Sequence, residues 1–314
     1  MLKLTIRRVL ATVPMMLLLS VLIFGLVALV PGDPAVTLAG ENPTPEQIAS
    51  VRAELGLDDP FPVRYWDWLL GILSGDFGTS LFSTETVAGA LLSRLPATLS
   101  LAFVALAMAA VLGLALGIVA GLHPGTAIDR VATITASAGV ALPYFWVGMM
   151  LVLIFAIYVP VLPAVGYVPI SDGIGPWFAH LVLPATALAL APAAVIARQT
   201  RAAVADVMTE DYVRTARAKG LPPRLVVGKH ALKNAAIPVA TAYGIEVNRL
   251  IGGTVVVEQL FSIPGIGQLA YQAVFARDFP VLQGVLIVTA LIVLIVNLAV
   301  DVSYGYFNPR IRQA

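Results

Sequence analysis

Runs without a single Asp, Glu, Lys or Arg recur along this chain, at Val9 to Gly32, Leu95 to Ile128, Val131 to Ser171, Gly173 to Ala197 and Phe279 to Val300. Each reaches the roughly 20 residues that a helix needs to cross a bilayer, where a central charge is costly. A further stretch, Asn234 to Val257, is largely apolar but contains Glu246, Asn248 and Arg249. The second half of the third run holds Pro160, Pro163, Gly166 and Pro169, which break a helix. The pattern therefore predicts spans near 9–30, 97–121, 131–159, 180–200, 234–257 and 281–303.

Composition excludes the alternatives. Hydrophobic residues make up 59% and charged residues 12% of the 314, against about 45–50% and about 25% in soluble domains. A water-soluble enzyme and a disordered tail are both ruled out, and a net charge of +1 does not suggest nucleic acid as a partner. With no Cys there are no disulfides, thiolate metal sites or Cys nucleophiles. His123, His180 and His230 are scattered without metal-ligand spacing. Lys3, Arg7 and Arg8 precede the first run as in a secretory signal, but that run is too long for a signal core and ends in Val30-Pro31-Gly32-Asp33-Pro34. It reads as a retained first helix.

Six spans place both termini on one side. Lys3, Arg7, Arg8, Arg130, Arg198, Arg201, Arg214, Arg217, Lys219, Arg224, Lys229, Lys233, Arg310 and Arg312 all fall there, against Arg52, Arg64, Arg94 and Arg277 opposite. The positive-inside rule makes the N-terminal side cytoplasmic. The chain then divides into a first helix, 1–30, an acidic extracytoplasmic segment, 31–94, a five-helix core, 95–303, that includes a cytoplasmic loop 201–233, and a tail, 304–314. Within the outer segment, Thr44-Pro45-Glu46-Gln47 marks a helix start and Gly56 a stop. Tyr65, Trp66 and Trp68 are rings suited to the membrane interface. This segment fits either a bare amphipathic cap or a docking surface.

The cytoplasmic loop is the most informative stretch. Glu210 to Lys219 reads as a short helix with acids in its first turn and bases in its last, ended by Gly220 and barred from continuing by Pro222-Pro223. Val213, Ala216 and Gly220 recur at helical spacing among the bases. By charge alone it is a lipid-facing basic anchor or a docking helix. Gly228-Lys229-His230 lacks the glycine and hydroxyl residue of a nucleotide-binding loop.

Several stretches in this order resemble one family: Pro31-Gly32-Asp33-Pro34, Leu55-Gly56-Leu57-Asp58, Gly75-Asp76-Phe77-Gly78, Arg94-Leu95-Pro96-Ala97-Thr98, Asp211 through Leu221, Gly252-Gly253-Thr254-Val255-Val256-Val257-Glu258, Pro264-Gly265-Ile266-Gly267, Arg277-Asp278 and Asn308-Pro309-Arg310. Together they are similar to the permease subunits of ABC importers, closest to the first-named permease of dipeptide and oligopeptide systems. The broader family begins its loop motif with Glu-Ala-Ala, where this chain has Arg214-Thr215-Ala216, a variant similar to that of the peptide branch.

The resemblance implies an all-α membrane protein of the cell membrane with a type I ABC importer-like permease fold, and a transport subunit rather than an enzyme. Asp211, Tyr212, Val213, Arg214, Thr215, Ala216, Arg217, Ala218, Lys219, Gly220 and Leu221 would form the coupling helix that enters a cleft on an ATPase. The implied partners are a second homologous permease, two ATPase domains that bind ATP and magnesium, an extracytoplasmic substrate-binding protein and the lipid bilayer, with no cofactor in this chain itself. Cargo would be di- or oligopeptides, or in the same family nickel, glutathione or another small solute.

Within the fifth span, Glu246 and Arg249 share a helix face at a separation of three. Glu246 lies roughly 18 Å from Asn234 at 1.5 Å per residue. This face, with Asn248, either lines the pathway or forms a self-neutralising packing pair. An intramembrane enzyme would need paired Asp, a Ser with His or a metal motif at depth, and none is present in the sequence. A proton-driven carrier could use Glu246 but would be expected to show an internal repeat.

Overall fold

The computed structural model describes residues 2–29, 35–36, 39, 43–54 and 56–307. The motifs Pro31-Gly32-Asp33-Pro34 and Asn308-Pro309-Arg310, and the tail beyond Phe307, lie outside the described residues. Among those described, regular structure is helical apart from one bridge between Thr79 and Thr86. The helices are α1 (Leu2–Leu29), α2 (Pro45–Glu54), α3 (Phe61–Ser74), α4 (Val87–Leu122), α5 (Ala127–Ala141), α6 (Tyr144–Val152), α7 (Ile174–Met208), α8 (Asp211–Ala218), α9 (Leu232–Leu260), α10 (Ile266–Ala276) and α11 (Phe279–Phe307). Two compact units result, one of Leu2–Leu95 with Gln268–Leu294, the other of Pro96–Gly267 with the stretch from Ile295 onward.

By length and apolarity, Val87–Leu122, Ile174–Met208 and Phe279–Val300 can each cross a bilayer. The expected single helix over 131–159 is instead two, Ala127–Ala141 and Tyr144–Tyr158, bent by 100°. The cause is local. Pro143 has no N–H and disfavours helical backbone in the residue before it, and Leu142 accordingly sits at φ −83, ψ 127. The helix beyond closes through a π turn, Leu153–Tyr158.

In the Pro96–Gly267 unit, α7 is the internal helix: 61% of its most apolar window is buried. Leu181, Leu188 and Ile196 of α7 share a core with Leu101 and Val104 of α4 and with Leu250 and Val257 of α9. Gly113, Gly117 and Gly121 let α4 approach the α7 backbone. A Cβ at Gly117 would lie 2.5 Å from Thr200 Cβ and 2.6 Å from the Ala197 carbonyl oxygen, so only glycine permits that approach.

In the other unit, Phe24 of α1 packs against Tyr65, Leu69 and Trp68 of α3. The Tyr65 hydroxyl is hydrogen-bonded to Ser20 Oγ at 2.8 Å. Of the three rings expected at the interface, Tyr65 is thus buried and Trp68 half-buried, while Trp66 is exposed. Ser20 supplies the partner that a buried phenol requires. The start of α2 is a reciprocal capping box: Thr44 N donates to Gln47 Oε1 at 2.8 Å and Gln47 N to Thr44 Oγ1 at 3.3 Å. Gly56, at φ +61, follows as the stop.

Candidate functional site: the cytoplasmic loop and the buried carboxylates

Helix α8 is shorter by one residue at each end than the sequence suggests, with Glu210 as an extended N-cap. Its end is a Schellman turn. Leu221 N donates to the Ala216 carbonyl and Gly220 N to that of Arg217, with Gly220 at φ +74. Val213 and Ala216 are buried against Val226, Val207 and Met208. The apolar stripe therefore faces inward and fixes α8 to the end of α7 and to the π turn Val226–Ala231. A further tie runs from Asn234 Nδ2, which donates to the Tyr212 hydroxyl at 2.9 Å.

What α8 presents outward is Asp211, Tyr212, Arg214, Thr215, Arg217, Ala218 and Lys219, followed by exposed Gly220 and Leu221. The Arg214–Asp211 pair is loose at 3.5 Å and both side chains are exposed, so it adds little to stability and leaves Arg214 available to a partner. Burying Val213 and Ala216 while displaying bases and Tyr212 makes α8 a stiff, positively charged projection rather than a loop.

Where α5 meets α7, the Arg201 guanidinium forms a two-point bond with Asp129, Nε to Oδ1 at 2.5 Å and Nη2 to Oδ2 at 2.7 Å. Gly125 N also donates to Oδ2, at 2.9 Å. Asp129 precedes the charge-free run that begins at Val131. The Arg201 hydrogen bond, then the Gly125 N–H, hold its carboxyl well below the usual range. This bidentate pair braces the helix that leads into α8.

Glu246 and Arg249 are brought together, with Arg249 Nη1 2.9 Å from Glu246 Oε1. The carboxylate is internal at 4% side-chain exposure and the guanidinium is outward at 68%. Asn248 does not join them. Its Nδ2 donates to Asn297 Oδ1 of α11 at 2.7 Å and to the Gly244 carbonyl at 3.3 Å.

A second carboxylate, Glu258, was not singled out by sequence reasoning except as the last letter of a motif. It is fully buried at the end of α9. Thr98 Oγ1 donates to Glu258 Oε1 at 2.7 Å and accepts from Ile266 N at 2.8 Å. Gly265 lies so close to the carboxylate that a Cβ there would collide with it, and one at Gly267 would lie 2.9 Å from Oε2. Three motifs, one of them about 160 residues from the other two, thus converge on one carboxylate, which joins α4, α9 and the loop into α10. The available signal was an acid following an apolar helix, with paired glycines seven and nine residues later.

Residues 113–313 match the family described as the binding-protein-dependent transport system inner membrane component, and residues 1–102 match its N-terminal region. The chain belongs to this family. Similar proteins include a probable peptide ABC transporter permease of Sinorhizobium fredii, 39% identical and covering 98% of both chains. Another is a putative peptide transport system permease of Brucella abortus, 39% identical over 99% of both. A glutathione transport system permease of Salmonella typhimurium is 41% identical over 99% of both. The fold resembles a chain of the MetNI methionine ABC transporter in an inward-facing form, at TM-score 0.56 and 21% identity, covering 69% of this chain and 96% of that one. The permease is accordingly a multi-pass membrane subunit of an ABC importer.

Proposed function

We propose that the permease forms half of the translocation pathway for di- and oligopeptides, with six spans and both termini in the cytoplasm. A second homologous permease completes the pathway, two ATPase domains supply ATP and magnesium, and an extracytoplasmic protein delivers cargo. The segment 31–94 lies outside, and the loop 201–233 and the tail 304–314 lie inside. Two further helices, Leu2–Leu29 and Leu232–Leu260, are long enough to bring the spans to six.

The observation that carries this reading is the construction of α8. Its buried Val213 and Ala216 bind it to α7 and the π turn, while Arg214, Arg217 and Lys219 face outward. A push on such a helix is transmitted to α7 and α9 instead of being absorbed by a flexible loop. Peptide cargo is supported by the relatives named for peptide transport. The glutathione permease at 41% identity favours small peptides such as that tripeptide as the second reading.

The test is the double variant Arg214→Glu with Arg217→Glu, which reverses charge on the outward face and leaves the buried stripe intact. The expected result is loss of ATPase co-purification and of uptake, with the permease still folded. Full retention of both would overturn the coupling role.

Glu246 and Arg249 are proposed to line the pathway, because an Arg 68% exposed on a spanning helix requires a wet or charged neighbour. Joint replacement, Glu246→Gln with Arg249→Gln, should reduce uptake while the complex still assembles. Unchanged uptake would assign the pair to packing.

A further inference from the structure

A cavity of about 290 Å³ lies within the unit formed by Leu2–Leu95 and Gln268–Leu294, where the end of α1, the turn after α2, helix α3 and the first turn of α11 meet. Its walls combine opposite charges, Arg64 against Asp59 and Asp67, with the rings of Phe24, Trp68 and Phe279. Gln283 also lines it. That side chain belongs to a residue only 7% exposed, and among the described residues its amide has no hydrogen-bond partner. The residue is otherwise enclosed, so its amide is open to a hydrogen-bond partner from the cavity side. Arg64 lies over the Phe24 ring at 5.9 Å, and neither it nor the two aspartates is ion-paired among the described residues.

The shape of α3 decides what kind of molecule can enter. With Tyr65 and Leu69 facing inward, Trp66, Leu70 and Leu73 form one exposed apolar flank, at 57%, 59% and 74% exposure. Arg64, Asp67 and Trp68 lie on the other flank at helical spacing. The flank suited to lipid tails is therefore the one the cavity does not use, and the cavity is open to a water-borne solute. Its volume sits at the small end of the usual range for ligand sites, roughly 300–1,000 Å³.

We propose that this cavity is an extracytoplasmic subsite for a compact zwitterion with an apolar side chain, the chemistry of a short peptide. Arg64 takes the carboxylate, Asp59 and Asp67 the ammonium, Gln283 the peptide amide, and the rings the side chain. The assignment to a peptide rests on the cargo proposed above, whereas the charge and ring arrangement stands apart from it.

The test measures binding of labelled Ala-Phe dipeptide to the full-length permease in phosphatidylcholine nanodiscs, with whatever subunits it retains and no added binding protein. Saturable binding is expected, with little competition from the same dipeptide acetylated and amidated at its ends. Arg64→Gln and Gln283→Leu should each weaken it by about tenfold or more, while Glu46→Gln, at an exposed position of α2 away from the cavity, leaves it unchanged. No binding, equal binding by the capped dipeptide, or wild-type binding in both cavity variants would overturn the proposal. So would loss of binding when phosphatidylethanolamine is added, since a lipid headgroup would then be the occupant. Peptide uptake by the complete importer is scored separately. Uptake without cavity-dependent binding refutes the subsite and spares the cargo, and cavity-dependent binding without uptake does the reverse.

Discussion

Replacing Thr98 with Val removes a single hydroxyl and keeps the shape of the side chain. Thr98 is buried at 8% exposure, and its hydroxyl both donates to Glu258 Oε1 and accepts from Ile266 N. Leaving a buried N–H without an acceptor costs about 1–3 kcal/mol, and a hydrogen bond to a charged group contributes about 1.5–3 kcal/mol. Because one hydroxyl serves both, and because hydrogen bonds in membrane proteins average nearer 0.6 kcal/mol, the expected loss is about 2–4 kcal/mol. Thr98→Ser keeps the hydroxyl and gives up a methyl group, for about 1 kcal/mol. Thermal unfolding of the purified permease in detergent should therefore fall by about 4–8 °C in the Val variant and much less in the Ser variant. Limited proteolysis should show the loop between α9 and α10 opening first. Equal melting of the two variants would refute the claim that the hydroxyl, rather than side-chain volume, joins the three motifs.

Gly117→Leu should prevent the close approach of α4 to α7, because even a Cβ there would meet Thr200 and the Ala197 carbonyl; the expected outcome is little monodisperse protein on size-exclusion chromatography, whereas exposed Gly228→Leu should behave like wild type. Asp129→Asn should flatten the acid side of the stability profile. The folded carboxyl titrates well below its unfolded value, so its contribution is fully present above the ordinary carboxylate range, about pH 4–5, and is lost progressively as pH falls from there towards the depressed folded value. The wild type should lose more melting temperature than the variant between pH 7 and pH 3, and parallel losses would remove the Asp129–Arg201 bond from the account.

The long spans were legible in the sequence because hydrocarbon excludes charge over a length that any reader can count, and this located α4, α7 and α11, although α4 begins ten residues before the expected 97 and α7 runs six residues before 180 and eight beyond 200. The caps were legible too, since Thr44-Pro45-Glu46-Gln47 and Gly220 act through neighbours within a few residues. Pro143 was visible, but whether a proline bends or ends a helix depends on what packs around it, so the 100° break belongs to the tertiary structure. The same holds for Val213 and Ala216: periodicity put them on one face of α8, and only the proximity of Val226 and Met208 made that face the inner one. The Thr98–Glu258 bond spans 160 residues and the Asp129–Arg201 bond 72. Sequence patterns register forces that act along a helix or against the bilayer as a whole, whereas these bonds, and the cavity beside Gln283, exist only once distant segments are brought to within hydrogen-bonding distance.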